Sequence, residues 1–208
     1  MDRTATLIAE LIEVGADAVR RGLVIASGGN LSARAPGADR YVVTAAATRL
    51  DRLLPDDFSV MALEGSVVGG HPVPSSEWRL HERTYRRRAD VNAIVHLHPQ
   101  AAVVLDAMGH QVRLITLDHA NYLRRVASVA YFPNGSDELA DAAAEASGDC
   151  NVVILAHHGC STLGDSVAIA YRRALLLEEA AVNTFRCLQL GDTTTTFPQE
   201  ALRDLQHF

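Results

Sequence analysis

The chain has 208 residues, of which 48% are hydrophobic and 21% charged, and its net charge is −6. This length and balance are typical of a globular protein, and we predict a single domain over residues 1–208. The acidic balance argues against nucleic acid or an anionic membrane as a partner. No apolar run is long enough to span a membrane, and the N-terminus lacks the apolar stretch of a signal peptide. The cysteines, Cys150, Cys160 and Cys187, form no closely spaced pair, so we expect free thiols and a cytoplasmic protein.

The first half of the chain alternates helix-like and strand-like segments. Apolar residues recur at helical spacing over residues 4–21, which predicts a first helix that ends before Gly22. Glycine turns are expected at 27–30 and 69–70, and strands at 31–34, 41–44 and 59–62. A serine pair can cap a following helix over residues 77–87.

The second half continues the alternation, which indicates an α/β protein rather than a helical bundle. Strands are predicted over 91–98 and 151–156. Helices are predicted over 100–108, from Ser136 to about 148, and from 165 or 166 to about 190. The tail from Asp192 is expected to be irregular until a final helical turn.

Histidines follow or end two of the predicted strands. Alternate residues of a strand share one face, so His96 and His98 point the same way and can bind one ion. That spacing alone is weak evidence, because a polar strand end produces it too. His157 and His158 come directly after the strand 151–156, either as exposed turn residues or as the source of a third imidazole, as in open catalytic zinc sites. For His157 we favour the exposed turn.

Two further segments carry polar groups suited to a substrate. Glu77 lies at a predicted helix start, where the helix dipole favours a carboxylate even without function, but beside a metal it can serve as a general acid/base. Ser75, Ser76 and the backbone N–H groups of that helix start form a candidate anion site. The turn 27–30 is followed by no Gly-Lys-Ser/Thr, so it is not a nucleotide P-loop; it is a tight turn or it presents Asn30 to a substrate oxygen.

Taken together, the segments 27–32, 74–81, 95–99 and 157–159 resemble the class II aldolase/adducin-head family, above all its fuculose-phosphate aldolase branch. The resemblance implies a three-layer α/β/α fold around a central, largely antiparallel sheet. It also implies a homotetramer with active sites at subunit interfaces. The site residues that it implies are a metal set at His96, His98 and His158, an acid/base at Glu77, phosphate contacts at Asn30, Ser75 and Ser76, and a candidate proton donor at Tyr122.

The same resemblance implies a zinc-dependent aldolase that cleaves or forms a fuculose-1-phosphate-like ketose through a metal-stabilised enediolate. Other divalent transition metals are alternatives to zinc, and the partner is a small sugar or sugar phosphate. Alternative activities within the family are those of a sugar-phosphate epimerase, a decarboxylase or a dehydratase. An alternative of a different class is a non-catalytic adducin-like interaction module, which has no need of the histidine set.

The chain departs from its relatives at two places. Many relatives carry Thr-Pro-Ser/Thr-Gly where this chain reads TAAA over 44–47, so a phosphate-binding hydroxyl and a glycine are missing. We therefore expect weak phosphate recognition unless Thr48 or Arg49 compensates. The epimerase branch has aspartates at the positions of Asn121 and Glu77, which argues against epimerase activity.

Overall fold

The computed structural model describes residues 3–198 and 200–201. Five α-helices lie within this part of the chain: α1 (Arg3–Arg20), α2 (Trp78–Arg87), α3 (Gln100–Ala107), α4 (Asp137–Ala146) and α5 (Val167–Gln189). The strands are β1 (Asn30–Ala33), β2 (Arg40–Thr44), β3 (Phe58–Ala62), β4 (Val67–Gly70), β5 (Ala93–Leu97), β6 (Ala127–Val129), β7 (Val152–Leu155) and β8 (Gly159–Gly164). A short π-helical turn, His119–Leu123, precedes β6.

The strands form one eight-stranded sheet in the order β4-β3-β2-β1-β5-β8-β7-β6. Neighbouring strands pair antiparallel, except that β6 runs parallel to β7. Because strand side chains alternate between faces, each strand contributes to two layers. The sequence prediction of an α/β fold with a largely antiparallel central sheet is therefore confirmed.

Helices cover both faces of this sheet. On one face, α1 and α5 bury a cluster that includes Leu31, Val95 and Leu97, and α3 packs beside α5. On the other face, α2 packs on Ile94, and α2 and α4 together cover Leu155. The sheet thus lies between two helical layers, and the even-numbered residues of β5 point toward α2.

The sheet register brings polar residues of separate strands side by side. His96 of β5 lies opposite Asn30 of β1 and, on its other side, opposite Ser161 of β8. All three side chains are buried, at 3% exposure or less. The α2 face of the central strands therefore carries a polar cluster in a position that usually holds core residues.

Three strands differ from the sequence predictions. Residues 69–70 were predicted as a turn but end β4, an edge strand whose side chains are exposed. The strands β6 and β8 were not predicted. β8 consists of glycine and small residues, GCSTLG, and is buried on both faces, so it shows no alternation of polar and apolar residues.

The predicted helices match the observed ones to within a few residues. Ser136 caps α4 as predicted, because its side chain accepts a hydrogen bond from the Leu139 N–H. Residues 192–198 are irregular as predicted, and the final helical turn falls mostly outside the described residues. No helix in the described part of the chain combines the length and apolarity needed to cross a membrane.

Candidate metal centre and active site

Three of the predicted site residues form a compact cluster of imidazoles. His96 lies in β5, His98 follows its end, and His158 lies in the connection between β7 and β8. Their rings stand edge to face, with centroids 4.9 to 5.0 Å apart. The Nε2 atoms of His96 and His98 are 3.1 Å apart, and the three residues offer ligand nitrogens within 4.8 Å of one another. This arrangement can hold a metal ion.

A hydrogen bond fixes the tautomer of His96. Its Nδ1 lies 2.9 Å from the carbonyl oxygen of Cys160 in β8. A carbonyl can only accept, so Nδ1 carries a proton, and in the neutral imidazole the lone pair is therefore on Nε2, which faces the cluster. Metal-binding histidines are commonly oriented through their second nitrogen in this way.

Burial lowers the pKa of two imidazoles of the site. It lowers the pKa of His98 to about 3, with further contributions from His96 and His158. Burial also lowers the pKa of His158. Neutral imidazoles have a free lone pair at neutral pH, which metal binding requires.

Two glycines let backbone and imidazoles approach one another closely. Gly29 adopts a φ of +74°, and a Cβ there would lie 2.8 Å from the carbonyl oxygen of His96. At Gly159 a Cβ would lie 2.4 Å from the Leu97 carbonyl oxygen and 2.6 Å from the His98 ring. Both glycines lie against residues 96–98, the segment that carries two of the three histidines. A side chain at either position would therefore displace this segment.

The predicted acid/base, Glu77, lies against this cluster. It immediately precedes α2, and its side chain is almost fully buried. Oε2 lies 3.1 Å from His96 Nε2 and accepts a 2.8 Å hydrogen bond from the Asn30 amide. Oε1 lies 3.6 Å from His158 Nε2 and has no hydrogen-bond partner among the described residues. Burial opposes ionisation, but His96 and His158 when protonated, together with the hydrogen bond from Asn30, outweigh it and hold the pKa of Glu77 below its ordinary value.

A small cavity opens beside Glu77 and His98. Its walls are the turn 27–30, the loop 45–48, the helix start 75–77, His98 and Asn134. Asn30, Ser75 and Ser76, predicted as substrate contacts, therefore line the same space. An unpaired buried carboxylate oxygen, three imidazole nitrogens and a polar cavity form a donor set and an environment suited to a divalent transition metal.

Several polar groups around this cavity already have partners. The Ser75 hydroxyl accepts from the Glu77 N–H at 3.2 Å, so it helps to start α2. The Thr48 hydroxyl donates to the Ala45 carbonyl at 2.9 Å, and Arg49 pairs with Asp51 through two 3.1 Å bonds. The Thr48 hydroxyl is thus not free to donate to a phosphate, and Arg49 is paired with Asp51 and is not among the described residues that line the cavity.

Tyr122, the predicted proton donor, lies elsewhere in the chain's own structure. It belongs to the π-helical turn, its hydroxyl accepts from Arg172 at 2.6 Å, and the Arg172 guanidinium stacks on its ring. It is not among the described residues that line the cavity. His157 is exposed and has a left-handed φ of 58°, consistent with the turn that we favoured.

Sequence reasoning missed Asn134 and the residues behind Asn30. Asn134 sits in the loop before α4, a distant segment with no motif of its own. His81, Ser32 and Tyr85 form a buried hydrogen-bonded group on the α2 side of the sheet. A regular spacing on α2, in which Glu77, His81 and Tyr85 are four residues apart, is the signal that would have found it.

Comparison with known proteins finds similar sugar-phosphate aldolases. The L-fuculose phosphate aldolase of Methanocaldococcus jannaschii is 35% identical over 161 residues, which cover 77% of this chain and 86% of that protein. The 5-methylthioribulose-1-phosphate/5-deoxyribulose-1-phosphate aldolase of Rhodospirillum rubrum is 31% identical over 202 residues, which cover 95% of this chain and 89% of that one.

Solved structures and sequence families give the same result. A structure of an L-fuculose 1-phosphate aldolase superposes with a TM-score of 0.89 at 28% identity, covering 96% of this chain and 94% of its own. Residues 9–184 match the family described as Class II Aldolase and Adducin N-terminal domain. This match spans most of the chain, and the chain therefore belongs to the class II aldolase and adducin N-terminal domain family.

Proposed function

We propose that this protein is a zinc-dependent aldolase that cleaves or forms a ketose 1-phosphate of the fuculose 1-phosphate type. One observation carries the proposal. The buried carboxylate of Glu77 faces three clustered imidazoles, and its Oε1 has no hydrogen-bond partner among the described residues. A carboxylate so placed can move a proton beside a metal-bound substrate.

In this proposal His96, His98 and His158 hold the metal. Bound there, a zinc ion would act as a Lewis acid that stabilises the negative charge developing on the substrate. Three imidazoles suit zinc, although other divalent transition metals also bind such a set.

The proton transfers fall to the chain's own residues. In cleavage, a carbon–carbon bond breaks and its electron pair stays on the donor fragment as an enediolate. Glu77 then returns a proton to that carbon, and in synthesis the same carboxylate removes it. Tyr122 would give a proton to the aldehyde oxygen in synthesis and take it back in cleavage. Because Tyr122 is not among the described residues that line the cavity of its own chain, this role places it at the site of a neighbouring subunit in the expected homotetramer.

The substrate's phosphate is proposed to lie in the cavity between the turn 27–30 and the start of α2. Ser75, Ser76 and the second amide hydrogen of Asn30 are among the polar groups of this cavity that can donate to an anion. The loop 45–48 lines the same cavity but offers alanines at 46 and 47. Phosphate recognition is therefore expected to be weaker than in relatives with a hydroxyl and a glycine in this loop.

A second candidate substrate comes from the relatives themselves. The protein similar over 95% of this chain is named for 5-methylthioribulose 1-phosphate and 5-deoxyribulose 1-phosphate. Both are ketose 1-phosphates, so the same residues would carry out the same reaction on them.

A decarboxylase is also among the relatives, at 27% identity. A non-catalytic module is disfavoured because it would not require a buried carboxylate beside three imidazoles.

The test is a retro-aldol screen of the purified, metal-analysed protein. The panel contains fuculose 1-phosphate, 5-deoxyribulose 1-phosphate, 3-oxo-tetronate 4-phosphate and the free ketoses. We expect release of an aldehyde from a ketose 1-phosphate, and loss of that release after treatment with a chelator. Carbon dioxide from the oxo acid without aldehyde from any ketose would overturn the aldolase assignment.

We further propose a cytoplasmic homotetramer. Light scattering of the protein as it elutes from a sizing column would measure the number of subunits.

A further inference from the structure

A buried row of polar side chains connects α2 with β1 behind the cavity. His81 and Tyr85 are four residues apart on one face of α2, and Glu77, four residues before His81, immediately precedes the helix. Asn30 and Ser32 are two apart on the facing side of β1. One helical turn and two strand residues advance by similar distances, about 6 Å, so the two rows stay in step. Each side chain of one row contacts the next of the other.

The contacts form one unbroken chain of hydrogen bonds. The Tyr85 and Ser32 hydroxyls are 2.8 Å apart, and the Ser32 hydroxyl lies 2.7 Å from His81 Nδ1. His81 Nε2 contacts the Asn30 side-chain oxygen, and the Asn30 amide nitrogen lies 2.8 Å from Glu77 Oε2. All five residues are at least 96% buried, so water does not compete for these bonds.

The Glu77 carboxylate, at one end of this series of hydrogen bonds, determines the direction of every hydrogen bond in it. An ionised carboxylate only accepts, so Asn30 must present its NH₂ group to Glu77 and its oxygen to His81. His81 must then carry its proton on Nε2, which leaves Nδ1 to accept from the Ser32 hydroxyl. The oxygen of Ser32 in turn accepts from Tyr85. Only one arrangement of protons satisfies all of these groups.

We infer that His81 is a positioning residue that, through Asn30, locks one oxygen of Glu77 as a hydrogen-bond acceptor and leaves Oε1 as the oxygen that transfers protons. This inference rests on the proposed role of Glu77 as the acid/base. Oε1 is the carboxylate oxygen without a hydrogen-bond partner in the described structure, whereas Oε2 is held by Asn30. Five polar groups in a core position add nothing to hydrophobic packing, and an orienting role accounts for them.

The tautomer of His81 can be measured in the unaltered, full-length protein. We would record long-range ¹⁵N–¹H spectra of the metal-loaded protein labelled at histidine, and assign His81 by its contacts with Ser32 and Tyr85. The expected result is an Nε2–H tautomer, with Nδ1 unprotonated, together with slow solvent exchange of the Asn30 side-chain amide. An Nδ1–H tautomer would overturn the inference, because Asn30 could then not be oriented by His81.

Kinetics of variants supply the second measurement. In His81→Phe, kcat should fall by about 10- to 100-fold while KM stays nearly unchanged, which is typical of losing an orienting partner. His81→Gln, whose amide can donate to Asn30, should regain most of the loss. Thr84→Val is the matched control, since Thr84 is equally buried on α2, and among the described residues its hydroxyl bonds only to the Leu80 carbonyl of its own helix, at 2.8 Å.

The two measurements separate failure of the inference from failure of the proposed function. Wild-type kcat in a folded His81→Phe variant would overturn the positioning role even if the protein is an aldolase. If no ketose phosphate is cleaved, the proposed function fails, while the tautomer still decides whether the hydrogen-bond chain exists. If His81→Phe does not fold, the tautomer in the unaltered protein decides alone.

Discussion

His96 donates from Nδ1 to the carbonyl oxygen of Cys160 at 2.9 Å, which turns its Nε2 toward the other two histidines. Because the bond joins β5 to β8, the sheet itself orients the central ligand.

We predict about one divalent metal per purified chain, and loss of most of it in the His96→Ala/His98→Ala double variant. Elemental analysis by mass spectrometry measures this. His157→Ala is the control, since His157 is exposed and should leave metal content unchanged. Full occupancy in the double variant would show that the ligands lie elsewhere.

Replacement of Glu77 by glutamine tests the proposed acid/base. The amide keeps the size of the carboxylate and can still accept from Asn30, but it cannot take a proton from carbon. We expect turnover to fall by about 10²–10⁴-fold with metal content retained, which is typical for loss of a general acid/base. Exchange of the donor carbon's hydrogen with deuterated water gives a direct readout. Unchanged exchange would mean that Glu77 serves only to start α2.

The loop 45–48 gives a prediction about both stability and binding. Ala47 has a φ of 59°, a left-handed conformation that costs a residue with a side chain about 1–2 kcal/mol. Ala47→Gly should therefore stabilise the fold by about 1 kcal/mol, measured by urea unfolding. With Ala46→Ser added, KM for fuculose 1-phosphate should fall by about tenfold, because a hydrogen bond to a charged group is regained. Free fuculose is the control and should show no change.

The opposite result for this loop would also be informative. The unaltered protein could already bind the phosphorylated sugar tightly, with no gain in the double variant. The phosphate contact missing from this loop would then be supplied by another group. Thr48 would have to give up its bond to Ala45, or Arg49 its pairing with Asp51. A group from a neighbouring subunit is the remaining source.

The proposed role of Tyr122 can be tested by mixing subunits. Tyr122→Phe and Glu77→Gln should each be nearly inactive alone. If Tyr122 acts in a neighbouring subunit's site, co-expressed chains form some sites with both groups intact, and roughly a quarter of wild-type activity should return on random mixing. No recovery in mixed oligomers would overturn the assignment of Tyr122 to a neighbouring subunit's site. Full activity of Tyr122→Phe alone would remove Tyr122 from the mechanism.

A pH-dependent part of the stability is predicted where α1 meets α5. The Tyr171 hydroxyl and the Arg21 guanidinium both donate to Asp17 at 2.7 Å, and they lower the pKa of Asp17 to about 2. A carboxyl with a lowered pKa in the folded state stabilises it at pH values above its unfolded pKa. This contribution should be lost as the pH falls from about 4 to 2.

Asp17→Asn isolates that contribution. At pH 7 the variant should unfold at lower urea concentration than wild type, and the difference should shrink as the pH falls below about 4. Glu13→Gln, an exposed change on the same helix, controls for the loss of one negative charge. A difference that stays constant down to about pH 2 would show that the Asp17 contacts do not depend on its ionisation.

The sequence predicted those parts of the site that are encoded locally. His96 and His98 lie two residues apart at the end of a predicted strand, and Glu77 lies at a predicted helix start; spacing marked them as candidates, and the family resemblance of their segments implied their roles. Asn134 was not found because it reaches the cavity only through the packing of the loop before α4. β8 was not found because a strand of small residues, buried on both faces, has neither alternation nor bulk to mark it.

Gly29 and Gly159 show how little room the histidine-bearing strand has on either side. Each glycine meets a carbonyl oxygen of β5, one at His96 and the other at Leu97. A mutational scan for chains that fold but no longer bind metal should therefore recover alanine at these positions as readily as loss of a histidine. Such variants would keep every metal-binding nitrogen but would lose the metal, because these nitrogens would be displaced. At this centre, affinity for the ion would be limited by the volume left to the strand as well as by the chemistry of its ligands.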